Sequence, residues 1–136
     1  MFTIDNEEKI LRFNRGDDIN FIFHGFLDED KEELYEFQKG DTVTFNIFEK
    51  KKYTKGYIFT KTFTVEKATT DLEISLNKLE TQIDTINNKA KTYYYEFILN
   101  GKYTICGHDV DGAKKVIIYP SEKEREEKEE WKWIIF

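Results

Sequence analysis

The strongest regularity in the chain is an alternation of period two. Ile19, Phe21 and Phe23 alternate with Asn20, Ile22 and His24, and Val43, Phe45 and Ile47 alternate with Thr42, Thr44 and Asn46. Leu72, Ile74 and Leu76 do the same around Glu73 and Ser75, as do Tyr93, Tyr95, Phe97 and Leu99 further on. Tyr57, Phe59, Phe63 and Val65 share one parity, broken only by Lys61. Side chains on a strand point to opposite faces in turn, so each stretch predicts a strand with one core face. The residues are the β-branched and aromatic types that strands favour. With 12 Phe, 8 Tyr and 2 Trp in 136 residues, wholesale disorder is excluded and one compact domain is expected.

Turn signals separate the stretches. Arg15-Gly16-Asp17-Asp18, Lys39-Gly40-Asp41, Lys55-Gly56, Asn100-Gly101 and Asp111-Gly112 place glycine, which accepts positive φ, beside residues that tolerate it. Asn100-Gly101 between two strand patterns predicts a two-residue hairpin. About eight strands at this spacing predict an all-β fold, an antiparallel sandwich over residues 1–120. Two helices are expected in addition. Asn77 to Ile86 puts Leu79, Ile83 and Ile86 on one helical face. Ser121 to Glu130 opens with Ser121 and Glu124 in a capping-box pattern after Pro120.

Composition excludes several functions. The net charge of −6 disfavours a nucleic-acid binder, which needs a basic face. The single Cys106 forms no internal disulfide. No apolar run approaches the roughly 20 residues of a membrane span. Met1-Phe2-Thr3-Ile4-Asp5 lacks a secretory pattern, so no signal peptide and a protein made in the cytoplasm are expected.

Catalytic chemistry finds little foothold. His24 and His108 stand far apart, with no Cys-x-x-Cys or His-x-x-x-His spacing to assemble a metal site. Cys106 and His108 would share a strand face, but no third group orients them. Asp109-Val110-Asp111-Gly112 begins like a calcium loop, yet its twelfth position is Pro120 rather than Glu. Arg15-Gly16-Asp17 spells an adhesion tripeptide and reads more simply as a turn. The Tyr93-Tyr94-Tyr95 run could stack sugar rings, although alternation sends Tyr93 and Tyr95 to one face and Tyr94 to the other. No enzyme site, metal or cofactor is expected.

Residues 121–136 form a separate region. Nine charged residues, six Glu and three basic, follow Ser121 and lead into Trp131-Lys132-Trp133-Ile134-Ile135-Phe136. Such an apolar segment is uncomfortable in water. It can return to its own sandwich or dock on a neighbouring subunit. The charged spacer favours the second, with Trp131, Trp133, Ile134, Ile135 and Phe136 as partner-binding residues.

Phe13-Asn14-Arg15-Gly16-Asp17 and Leu34-Tyr35-Glu36-Phe37-Gln38-Lys39-Gly40-Asp41-Thr42-Val43-Thr44-Phe45 come first in order. Lys91-Thr92-Tyr93-Tyr94-Tyr95-Glu96-Phe97, Thr104-Ile105-Cys106-Gly107-His108-Asp109 and Ile118-Tyr119-Pro120 come after them. In this order, over roughly residues 8–120, the chain resembles the N-terminal domain of baseplate upper proteins from phages and prophages of Gram-positive bacteria. The resemblance implies an immunoglobulin-like sandwich in a virion tail or baseplate and no catalytic residues. Its partners would be other tail and baseplate proteins in a symmetric assembly, with neither nucleic acid nor membrane. The region after Pro120 departs from the family pattern. The alternative expectation is a carbohydrate-binding module that contacts host glycans through exposed aromatic rings.

Overall fold

The computed structural model describes residues 2–5, 10–25, 33–49, 57–83, 89–106 and 114–121. Nine strands lie within them: β1 (Phe2–Asp5), β2 (Ile10–Asn14), β3 (Ile19–Phe23), β4 (Thr42–Phe48), β5 (Phe59–Thr64), β6 (Leu72–Leu76), β7 (Lys91–Leu99), β8 (Tyr103–Cys106) and β9 (Lys114–Tyr119). The larger sheet runs β1-β2-β9-β7-β4-β5, with β8 also on β7; the smaller is β3-β6. All pairings are antiparallel except β2 with β9, which is parallel. The sheet is therefore mixed, a correction to the all-antiparallel expectation. A hairpin cannot join parallel strands, and β2 and β9 lie at opposite ends of the chain, so nothing local announces their pairing.

Strand β7 is the spine. Its first half, Lys91–Tyr95, pairs with β9, and its last residues, Phe97–Leu99, pair with β8 along the same edge. A register irregularity at Phe97/Ile98 accompanies the change. β4 takes the opposite edge, from Val43↔Leu99 to Phe48↔Tyr94.

The two sheets meet through aromatic rings. Phe97 stacks on Phe45 at 4.7 Å within its own sheet and on Phe23 of the smaller sheet at 4.3 Å. Phe21 meets the Phe97 ring edge-on. Around them lie Leu11, Phe13, Ile19, Val43, Ile47, Ile74, Leu76, Tyr93, Tyr95, Val116 and Ile118, all buried. One core between two facing sheets makes a sandwich-like arrangement. The predicted core parities of β3, β4, β6 and β7 are those observed. Tyr103, across the hairpin from the Tyr93 parity, is 63 % exposed. It starts β8, which has a paired strand on one side only among the described residues.

The Asn100-Gly101 turn forms as expected. Both residues have positive φ, 52° and 68°, and the Lys102 N–H closes onto the Leu99 carbonyl at 3.0 Å. Pairing resumes at Tyr103 rather than Lys102, so the loop is one residue longer than predicted.

The helix expected from Asn77 to Ile86 is corrected as far as the described residues reach. Asn77–Thr81 makes one turn. Asn77 Oδ1 accepts from the Leu79 and Glu80 N–H groups while Glu80 Oε1 accepts from the Asn77 N–H, a capping box. The turn goes no further because Thr81 and Ile83 have tertiary partners. Thr81 is buried and bonded to the β2–β3 turn, Ile83 enters the core, and Leu79 points into water. Beyond Ser121, the predicted Ser121–Glu130 helix and the segment from Trp131 to Phe136 lie outside the described residues.

Candidate functional site

Hydrogen bonds gather distant parts of the chain into two joints. In the first, Asn14 Nδ2 donates to the Pro120 carbonyl at 2.9 Å, across 106 positions of sequence. The Arg15 N–H donates to the Tyr119 carbonyl at 3.0 Å. Gly16 has φ +82° in a turn closed by the Asp17 N–H on the Asn14 carbonyl, the positive φ of a type II turn. Thr81 Oγ1 accepts from the Gly16 N–H and donates to the Asp17 carbonyl. The Arg15 side chain is buried, with Nη1 donating to the Ile83 carbonyl at 2.8 Å. An adhesion tripeptide must display its arginine, and this one holds the fold together.

The second joint centres on Asp41. Its Oδ2 accepts from the Tyr35 hydroxyl and the Gln38 N–H, each at 2.9 Å, and its Oδ1 accepts from Asn100 Nδ2 at 3.2 Å. The Gln38 N–H first, with the Asn100 amide and the Tyr35 hydroxyl helping against partial burial, holds the Asp41 carboxyl below the usual carboxylate range. The same hydrogen bond pushes the Tyr35 phenol up. Asn100 also bonds both ways with the Thr42 backbone, so this joint ties the β7–β8 hairpin to the start of β4.

The sequence candidates for catalysis scatter. His24 is exposed and pairs with Asp71 at 2.6 Å, joining the end of β3 to the start of β6. Cys106 is half-buried beside Tyr95, whose phenol burial, then the thiol, pushes up. His108 and the Asp109–Gly112 segment lie outside the described residues. Among the described residues, no three His, Cys, Asp or Glu side chains gather as a metal site would require. Likewise, no described helix is long and apolar enough to cross a membrane.

The outward face of the larger sheet carries an aromatic group. Phe48 lies between Tyr94, at 6.4 Å, and Tyr57, at 6.1 Å, and is itself buried. Glu96 Oε1 accepts from the Tyr57 hydroxyl at 2.5 Å and from Asn46 Nδ2 at 3.3 Å, while Thr60 donates to Asn46 Oδ1. The rings are inclined, by 29° and 57°, and do not form one flat platform.

Two strand edges are treated differently. Lys61, the parity break of β5, turns inward and donates to the Ser75 carbonyl of β6 at 2.8 Å and to Glu80 Oε1 at 2.9 Å. One lysine thus places a charge on the inner side of β5 and caps a carbonyl of β6. Strand β3 carries no charge and no proline; among the described residues it pairs only with β6. Its Ile22 is 52 % exposed, and its inward Phe21 and Phe23 are half-buried. The role of Lys61 was missed in the sequence, although its break in a clean parity was the available signal.

The expected docking residues Trp131, Trp133, Ile134, Ile135 and Phe136 lie outside the described residues. These features define an all-β, two-sheet domain with structural joints and exposed edges. No family model, no curated protein and no solved structure matches the chain.

Proposed function

We propose that the chain is a non-enzymatic structural subunit of a phage or phage-like tail, placed at the baseplate or fibre attachment. The carrying observation is that the first and last motifs behind the resemblance meet in space, with Phe13–Asp17 bonded to Tyr119–Pro120. The Leu34–Phe45 motif is internally tied, Tyr35 bonding to Asp41, which also holds the Asn100 turn. Their spacing is thus tied to a three-dimensional requirement, as a fold signature needs. The strand order supports the immunoglobulin-like part of the reading. β9-β7-β4-β5 facing β3-β6 corresponds to the G-F-C-C′ and B-E strands of a variable-type sandwich. In this reading the sandwich is rigid, and its neighbours are other tail proteins. The test is mass spectrometry of particles purified after lytic induction of the encoding strain. The chain should appear in a fixed ratio to the tail proteins, and its absence from intact particles would overturn the proposal.

The outward group of Tyr57, Tyr94 and Glu96 favours a second reading, a glycan contact. An exposed phenol beside a carboxylate and an amide offers a stacking ring with hydroxyl partners. Glycan-array binding that Tyr57→Ala abolishes would support it. No binding to host cell-wall polysaccharide would remove it.

A further inference from the structure

We propose that Asn100-Gly101 is a site of spontaneous covalent modification, guarded by Asp41. The Asn100 amide is converted to aspartate or isoaspartate when its bonds to the start of β4 open, and the new carboxylate then keeps that joint from closing. The inference holds for the chain alone, whatever assembly it joins. A backbone nitrogen that follows asparagine can attack the side-chain amide carbon, and a side chain on the following residue hinders the approach. Glycine has none. Among all the asparagines of the sequence, only Asn100 precedes a glycine. Both residues are exposed to the water that the reaction consumes.

The step balances with water as the co-reactant. The Gly101 nitrogen bonds to Asn100 Cγ, and its proton passes through solvent to the departing Nδ2. The Cγ–Nδ2 bond breaks, and ammonia leaves behind a cyclic imide. Water then opens the imide at either carbonyl. One opening restores the ordinary backbone with an aspartate side chain, and the other routes the backbone through the side chain as isoaspartate. One water enters, one ammonia leaves, and nothing is oxidised or reduced.

The fold holds the amide away from this path. Asn100 Oδ1 accepts from the Thr42 N–H at 2.9 Å, and Nδ2 donates to Asp41 Oδ1 at 3.2 Å. The Asn100 N–H donates to the Thr42 carbonyl at 2.7 Å. Ring closure has to bring Cγ against the Gly101 nitrogen, while these bonds hold both polar atoms of the amide on the start of β4. The anchor is itself fixed, because Asp41 Oδ2 accepts from the Tyr35 hydroxyl and the Gln38 N–H. Reaction is thus confined to molecules in which the joint has opened locally. Afterwards the pairing is reversed. A carboxylate oxygen replaces the Nδ2 donor, so two carboxylates face each other where one carboxylate met an amide. Isoaspartate also lengthens the backbone inside the turn that sets Leu99 opposite Tyr103. Either product releases the β7–β8 hairpin from β4, and the loss of ammonia makes the release irreversible.

The test follows the purified full chain in neutral buffer by peptide mass spectrometry, which reads the replacement of NH2 by OH at Asn100. In buffer the parent should react about tenfold or more slowly than the same chain in urea, the factor that one hydrogen bond to a charged group supplies. Asp41→Ala should remove most of that protection. Thr81→Val, which weakens the fold at the other joint, should keep it. Asn100→Asp, the product introduced by substitution, should speed hydrogen exchange in β8. Adding Asp41→Asn should slow it again, because carboxylate and amide have then only changed places. Equal rates in buffer and urea would overturn the inference, as would protection that survives Asp41→Ala or is lost equally in Thr81→Val. Should Asp41→Ala fail to fold, the exchanged pair decides alone: β8 exchange unchanged by Asn100→Asp, or not restored by Asp41→Asn, would also overturn it.

Discussion

Among the described residues, strands β3 and β5 are both short edge strands that alternate inward and outward residues, and both lie against one aromatic core. Of their inward positions, only one is charged. β5 places Lys61 where β3 places Phe21, and that lysine reaches across the sandwich to Ser75 and Glu80. A charge on the core side of an edge strand opposes an incoming strand, which would have to bury it. The same charge is comfortable here because it already has two oxygen partners. β5 thus gives up a core hydrophobe for a charge, while β3 keeps an apolar inward face and, among the described residues, pairs only with β6. What separates the two strands chemically is the one charge on an inward face.

The largest test strikes the support that both strands share. Phe97 stacks on Phe23 from β3 and on Phe45, which in turn meets Phe59 of β5 edge-on. Phe97→Ala should cost about 3–5 kcal/mol in urea unfolding. Hydrogen exchange should speed up more in β3, which Phe97 touches through both Phe21 and Phe23, than in β5. Equal loss in the two strands would break the contrast, and a cost under about 1 kcal/mol would mean the ring is not a core element.

The next test acts at the entry to β3. Thr81→Val keeps the shape but removes the hydroxyl that serves the Gly16 N–H and the Asp17 carbonyl. Leaving these groups unpaired should cost about 1–3 kcal/mol in thermal or urea unfolding. A neutral result would mean that the turn holds without Thr81.

Lys61→Met then asks whether the closed edge can be opened. Losing two charge-assisted hydrogen bonds, partly offset by a better-buried side chain, should cost about 1–2 kcal/mol. The informative readout is light scattering, where the variant should self-associate at concentrations that leave the parent chain unchanged. Unchanged scattering would show that β5 is guarded by something other than its lysine.

The smallest expected effect is on pH dependence. Burial pushes the Glu80 carboxyl up, but the Asn77 N–H and Lys61 outweigh it and hold the carboxyl below its ordinary value. Asp41 is lowered as well, first by the Gln38 N–H. A carboxyl with a depressed folded-state pKa stabilises the fold above its unfolded pKa, and that contribution disappears as pH falls through the folded value. Thermal midpoints should therefore drop on the acid side of about pH 4, and Glu80→Gln with Asp41→Asn should flatten that limb. An unchanged acid limb in the double variant would separate both carboxylates from the stability of the joints.

Most of the strands are legible in the residues. Alternation in β3, β4, β6 and β7 places Ile19, Phe45, Ile74 and Phe97 on the buried side, where they are found. Parity is a local property of an extended backbone, so it survives reading one residue at a time. The Asn77 region shows where that fails. Its start is a true helix signal, a capping box, yet Thr81 and Ile83 have stronger claims from β2 and the core, and the turn ends after one round. The candidate site was less legible. Tyr57 looked like a core residue by parity, but it sits on the outward side with its hydroxyl on Glu96, just before β5 begins.

The sequence by itself determined that this chain makes strands, which face of most of them is apolar, and where the Asn100-Gly101 hairpin turns. Each of these depends on neighbours only a few positions apart. Only the tertiary structure decided that β2 lies parallel to β9, that Arg15 is buried under Ile83, and that Lys61 spans the two sheets. Those contacts join residues separated by 14 to more than 100 positions. Their partners are chosen by how the two sheets pack, and no local spacing encodes that choice.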